Sequence, residues 1–305
     1  HGHHSASAIL SVESFTKTND PNVFPEQLSL VEPWQVKRQF FNTSWWFYGS
    51  QEKFNAADKT NLISFQTGVY YASIGKSNQE IAALSRSRHQ SQGFGSTGSR
   101  GEETEYLEQI NGDILKGKKS IFEGIDTSWN RVKGGRAVGE LINKVIDNFD
   151  FKNPSASIFD LVKVYSMIQT LEENHWKAIK SEELKNCIAA CAGLYLEAVA
   201  SSQEITTGSN LKLKLEAINR SSVGMQLVSL TTLPDSKTFP QNKVLTTNGS
   251  NKIQLDLQIP SETEYTQPYW LKETGTTGMY IVKEKKNIGI PDVIRETKVV
   301  FNIRI

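Results

Sequence analysis

Three imidazoles crowd the first four positions of this 305-residue chain, in His1-Gly2-His3-His4-Ser5-Ala6-Ser7-Ala8. Histidine is the commonest metal ligand, and a neutral ring nitrogen is what zinc binds. His1 and His4 are three residues apart, so on a first helical turn both rings point to one side. The residues that follow support such a turn. Ala8, Ile9, Val12 and Phe15 recur at helical steps, and the pattern stops in the polar run Thr16-Lys17-Thr18-Asn19-Asp20-Pro21. The alternative is an expression remnant. A tag is usually an unbroken histidine run followed by a linker, whereas these histidines lead straight into an amphipathic helix.

A second polar cluster lies further along. Ser77-Asn78-Gln79-Glu80 has the form of a capping box and opens a helix with Ile81 and Leu84 expected inward. The opposite side carries Ser85, Arg86, Arg88, His89, Gln90 and Gln92 before a glycine loop. One reading is a solvated helix face. The other is a polar wall that binds hydroxyls or an anion, with Arg86, Arg88, His89 and Gln92 as the binding groups.

Two motifs match by letter and fail by context. Gly75-Lys76-Ser77 would end a phosphate loop, but the glycine required five residues earlier is Tyr70. Gly93-Phe94-Gly95-Ser96-Thr97-Gly98 spells a dinucleotide fingerprint, but a helix rather than a strand precedes it, so the glycines are expected to make a flexible loop. The aromatic run Trp45-Trp46-Phe47-Tyr48 is expected to pack against a neighbouring layer, with a sugar-stacking platform as the alternative. Cys187 and Cys191 share a helical stripe. Their spacing suits buried free thiols better than a disulfide.

The elements that must position these groups fall into three zones. Residues 1–135 are mixed and loop-rich, with a possible strand at Trp34–Asn42. Residues 136–205 are helical. Val138, Leu141, Ile142, Val145, Ile146 and Phe149 trace one face. Ser157 with Asp160 resembles a cap for a second helix, near whose end His175 and Trp176 fall. Ser181 could cap a third helix running to about Ala200. Residues 206–305 switch to a period of two: Leu211, Leu213 and Leu215 alternate with charged residues, as do Ile253, Leu255, Leu257 and Ile259 with polar ones. Asn248-Gly249 is a hairpin signal, and the strand spacing suggests an immunoglobulin-like β-sandwich. The opening motif and the terminal strand Lys298–Ile305 make both ends read as cuts through structure. With 34 basic and 33 acidic residues the formal charge is +1, which gives no electrostatic argument for nucleic acid. No apolar run has the length of a membrane span.

The opening motif resembles the second metal motif of the LmbE-like, PIG-L-type N-acetylglucosaminyl deacetylases. The stretch from Gly75 to Gly95, with its Arg-Ser-Arg-His-Gln-Ser-Gln run, resembles a later segment of large bacterial members of that family. So do Glu123-Gly124-Ile125-Asp126-Thr127-Ser128-Trp129 and Gln267-Pro268-Tyr269-Trp270-Leu271. The resemblance implies a multidomain α+β protein: the C-terminal remnant of a Rossmann-like α/β domain with a loop-rich extension (1–135), a helical region (136–205) and an immunoglobulin-like sandwich (206–305). It implies zinc as cofactor, an N-acetylated sugar or glycoconjugate as substrate, His4 as a metal ligand and His1 as the group that stabilises the oxyanion. His3 stands where the family usually has an acidic residue. The family's early His-Pro-Asp-Asp motif, with two further ligands and the general base, is absent from this sequence. The chain alone is therefore expected to be inactive and to need an N-terminal half as its partner. Export to a periplasm or cell surface would suit such an enzyme. The second expectation, of a different class, is a non-catalytic module that binds carbohydrate or protein.

Overall fold

The computed structural model describes residues 2–117, 120–291, 293–295 and 297–305. Contacts divide the chain into two compact units, His1–Ile125 and Asp126–Ile305. The protein is mixed α+β, with six α-helices and several antiparallel sheets among the described residues.

The first unit opens with helix α1 (Gly2–Lys17), in which no described residue is buried. Strand β1 (Arg38–Thr43), helix α2 (Gln51–Ala56) and strand β2 (Leu62–Gln66) follow. A two-residue ladder joins β3 (Tyr70–Tyr71) to β4 (Lys76–Ser77), and the chain then enters α3 (Asn78–Arg86) and β5 (Thr104–Gly112). The sheet order is β1-β5-β2, antiparallel throughout, with Ile63 opposite Leu107 and Thr43 opposite Tyr106. Among the described residues of this unit the buried apolar side chains are few, namely Phe54, Ile63 and Leu115. Phe54 packs edge-on against both Tyr48 and Tyr106 at 5.0 Å. So the aromatic run divides: Tyr48 faces this small core, while Trp45, Trp46 and Phe47 are exposed.

The second unit has a larger core. Helices α4 (Arg136–Asp147), α5 (Ile158–Gln169) and α6 (His175–Cys191) precede strands β6 (Tyr195–Ala200), β7 (Asn210–Ile218), β8 (Met225–Leu233), β9 (Thr238–Leu245), β10 (Asn251–Gln258) and β11 (Lys298–Arg304). The strands form two antiparallel three-stranded sheets, β10-β7-β6 and β11-β8-β9. One hydrophobic core contains Val138, Ile158, Val164 and Ile168 from the helices and Leu211, Leu215, Leu227 and Leu230 from the two sheets. The alternation expected along β7 is observed, with Leu211, Leu213, Leu215 and Ala217 buried and the residues between them exposed or half-buried.

Several local expectations change. Asn248-Gly249 does not close a hairpin, because β9 pairs with β8 in one sheet and β10 with β7 in the other. The turn instead carries the chain between sheets, with Asn248 at φ 57° and its N–H donating to the Asn219 carbonyl at 2.6 Å. Asn174, not Ser181, caps α6, its side chain accepting from the Lys177 N–H. His175 and Trp176 thus begin α6 rather than end α5. Ser181 is buried inside α6 and accepts from the Gln169 amide at 2.9 Å. Gly193, at φ 56°, stops that helix, and the residues expected to extend it form β6 along the edge of β7. Ser157 makes no side-chain cap to α5. Lys177 is buried and donates to the carbonyls of Gln169 and Leu171, each at 2.9 Å, which satisfies the open C-terminal end of α5.

Candidate functional site

The histidines of the opening motif occupy an exposed helix start. His3 and His4 lie in the first turn of α1, ring centroids 4.9 Å apart and planes tilted by 40°. His1 lies outside the described residues. Catalytic zinc needs three protein ligands. Among the described residues no group of three or more His, Cys, Asp or Glu side chains could hold a metal ion. The residues here therefore do not fit zinc by themselves, and no hydrolytic step follows from them. The apolar side of α1 is uncovered: Ile9 is 63% exposed, Leu10 59% and Val12 47%.

The polar cluster at α3 is assembled from local chemistry. The Ser77 hydroxyl accepts from the Glu80 N–H at 3.3 Å, and the Glu80 carboxylate accepts from the Ser77 N–H at 2.9 Å. This reciprocal cap fixes the first turn. It also holds the Glu80 carboxyl below its ordinary value, first through the Ser77 N–H and further through the Ser77 hydroxyl and Arg100, against some desolvation. The helix ends at Arg86. Ile81 and Leu84, expected inward, are exposed, because no layer among the described residues of this unit covers that side.

The covered side of α3 faces the glycine loop. At Gly98 an added Cβ would stand 2.6 Å from the Gln79 carbonyl oxygen, so only glycine permits this approach. Arg100 pairs with Glu80 at 3.0 Å, and the Ser87 hydroxyl donates to the Ser96 carbonyl at 3.3 Å. The loop expected to be flexible is thus tied to the helix at three points.

Between helix and loop lies a concavity of about 630 Å³ whose lining includes Gln79, Ala82, Ala83, Arg86, Glu103 and Glu105. Of the four binding residues expected from sequence, Arg86 lines it. Arg88, His89 and Gln92 are exposed in the turns after α3, outside that lining. Sequence reasoning missed Gln79, Glu103 and Glu105. The first was read only as part of a cap, and the other two lie on or beside β5, with no local signal linking them to α3. One atom here stands out. Gln79 Oε1 is buried and has no hydrogen-bond partner, while Nε2 donates to the Thr67 hydroxyl at 3.4 Å.

The second unit holds an apolar cleft of about 420 Å³ lined by Trp129, Val145, Leu161, Trp176 and Leu184. The Arg131 guanidinium sits 3.6 Å over the Trp176 ring, and Lys180 at the same cleft pairs with Glu183 at 2.6 Å. Cys187, also lining it, is exposed rather than buried. Cys191 is half-buried, its thiol pushed up by burial and then by Cys187, which makes it a poor nucleophile. Both cysteines are free.

Two other motifs have structural roles. The Glu123 carboxylate accepts from the N–H groups of Lys116 and Gly117 at 3.0 and 2.8 Å. Tyr269 and Trp270 meet edge-on at 5.0 Å in a short 3-10 turn, and the Tyr269 hydroxyl accepts from the Gly289 N–H. No described helix is long and apolar enough to cross a membrane. Comparison of the chain with protein-family models, with curated proteins and with solved structures returned no match.

Proposed function

We propose that this chain is part of a zinc-dependent N-deacetylase that hydrolyses the acetamide of an N-acetylated sugar or glycoconjugate. In this reading His4 supplies one metal ligand and His1 faces the developing oxyanion. The remaining ligands and the general base come from residues outside this sequence. Zinc would supply an activated water and a polarised carbonyl. The second unit would then correspond to the helical region and immunoglobulin-like sandwich of the family. The first would carry the last helix of its Rossmann-like domain.

The observation that supports this reading is the state of α1. It presents His3 and His4 in its first turn and an apolar side on which Ile9, Leu10 and Val12 are exposed. A 16-residue helix is marginal in water by itself, and most helical stability comes from packing an apolar face. A neighbouring catalytic layer over Ile9, Leu10 and Val12 would both stabilise the helix and bring further ligands beside His4. The test is bound zinc, measured by elemental analysis in the complete gene product and in its His4→Ala variant. Stoichiometric zinc that falls with the substitution is expected. Zinc absent from the folded protein, or unchanged by the substitution, would overturn the reading. The described chain alone is expected to show no deacetylase activity.

A second reading is a non-catalytic module that engages carbohydrate or a protein partner. The apolar cleft around Trp129 and Trp176 favours it. Concave, mostly apolar sites with a few fixed polar groups are the usual form of a ligand site.

A further inference from the structure

We propose that the cleft among α4, α5 and α6 binds a small amphiphilic carboxylate, with its hydrocarbon body against core side chains and its anionic end at Arg131. This goes beyond the module reading, since it needs neither a carbohydrate nor a protein. It is also separate from the metal reading, and either can fail without the other.

The floor of the cleft is hydrophobic core. Val132, Val145, Leu161, Ile168 and Leu184 line it, and each is buried. All but Val132 belong to the core shared by the helices and the two sheets. Protein interiors are close-packed, and voids larger than a water molecule are few. Here a hollow of about 420 Å³ opens from solvent onto core side chains, which is the size and character of a small-molecule site. A water held there needs several polar partners, and these five side chains offer none. An apolar body suits the space better.

The polar groups at the mouth choose the charge. Lys180 pairs with Glu183 at 2.6 Å, so these two offset each other. Arg131 is the cation left to pair. Its guanidinium carbon stands 3.6 Å from the centre of the Trp176 ring, a contact that engages the face of the guanidinium. The N–H donors lie in the guanidinium plane, and among the described residues none of them makes a hydrogen bond or an ion pair. Asp126 feels that charge, but its Oδ1 accepts from the Ser128 N–H at 2.8 Å and from the Ser128 hydroxyl at 2.6 Å. A carboxylate offers two oxygens that match the guanidinium fork. An apolar hollow beside such a cation favours an anion with a hydrocarbon body over a sugar, an amine or a bare anion.

The site is also built in advance. Trp129 and Arg131 share one short 3-10 turn, which the Ser128 hydroxyl caps by accepting from the Asn130 N–H at 3.1 Å. An added Cβ would stand 2.5 Å from the Trp129 carbonyl oxygen at Gly135, and 3.1 Å from the Trp129 Cβ at Gly139. These two glycines let the turn lie against the start of α4, which sets Trp129 in the wall of the cleft. Walls held before binding spare the ligand the cost of ordering them.

The experiment follows alkylation of Cys187 by iodoacetamide in the full chain, read by peptide mass spectrometry. Cys187 is exposed and lines the cleft, so an occupant slows its reaction. Octanoate is the probe, with octanol, octylammonium and acetate as comparators. Octanoate is expected to protect Cys187 at lower concentration than octanol or octylammonium, and acetate is expected not to protect it. Arg131→Met keeps an unbranched side chain beside Trp176 and removes the charge. It is expected to weaken octanoate at least about tenfold, equal to about 1.4 kcal/mol, and to leave octanol unchanged. Ile146→Trp, at an exposed position of the lining, is expected to obstruct the cleft and weaken both. Zinc content of the complete gene product is expected to be the same with and without Arg131→Met, which separates this result from the metal reading. The proposal is overturned if octanoate leaves Cys187 unprotected, if octanol or octylammonium protects as well as octanoate, or if octanoate protection is unchanged by either substitution.

Discussion

Replacing Gln79 with methionine is expected to make the first unit more stable. The wild-type side chain keeps a buried carbonyl oxygen without a partner, at a cost of roughly 1–3 kcal/mol. The substitution removes that oxygen and also the long 3.4 Å bond from Nε2 to the Thr67 hydroxyl, which at that distance contributes at most about 0.5 kcal/mol. Methionine and glutamine have similar helix propensity and similar length, so α3 itself changes little. Gln79 as a whole is only half-buried, which places the orphan cost toward the low end of its range. The net gain is about 1 kcal/mol, or about 4 °C in Tm for a unit of this size. Thermal unfolding by circular dichroism reads the shift. Hydrogen exchange with mass spectrometry over residues 77–86 localises it to α3, which matters because the two units need not unfold together. Greater protection of that segment would show that the buried oxygen carries the cost expected of an unpartnered acceptor. Unchanged or weaker protection would refute the reasoning, because the orphan oxygen would then carry no cost.

Two further outcomes follow from the same structure. Asn219 is buried, donates to the carbonyls of Val223 and Leu245, and accepts from the Ser221 N–H and hydroxyl. Asn219→Leu strands several of these groups at once and is expected to cost about 3 kcal/mol, read as a lower urea midpoint of the second unit; a change within about 0.5 kcal/mol, the size usual for surface substitutions, would show that the network is dispensable. Glu80 is depressed below its ordinary value of 4.5, so its stabilising contribution is present above that pH and is lost as the pH falls through the lower folded value. Exchange protection of the first turn of α3 is expected to drop on acidification in that window, and Glu80→Gln to abolish the dependence; an NMR titration of the Glu80 carboxyl at or above 4.5 would contradict this.

What was legible in the sequence was what short-range chemistry decides. The Ser77–Glu80 cap spans three residues, so its two bonds could be read before any fold was known. The alternation along Leu211, Leu213 and Leu215 is imposed by strand geometry, and its apolar side had to be buried. The helices from Arg136 to Gln169 announced themselves through apolar stripes of the same kind. Arg86 shares α3 with the lining of the concavity, as its place in the helical pattern predicts. Arg88, His89 and Gln92 share that face only if the helix continues, and it ends at Arg86.

The rest depended on partners distant in sequence. Asn248-Gly249 has the composition of a hairpin turn, but turn chemistry does not choose which strands pair; β8 and β7 make that choice by offering complementary apolar sides in separate sheets. Residues Tyr195–Ala200 could extend a helix or form a strand, and Gly193 together with the open edge of β7 decided for the strand. The concavity joins Gln79 to Glu103 and Glu105 across more than twenty residues, and they meet through the close approach at Gly98 and through Thr67, which bonds both the Gln79 amide and the Glu103 carbonyl. Local bonding rules wrote the caps, stripes and alternations into the sequence itself. The pairing of strands and the gathering of polar groups around one hollow came from tertiary structure, because each is settled by a competition among contacts that no short stretch of sequence contains.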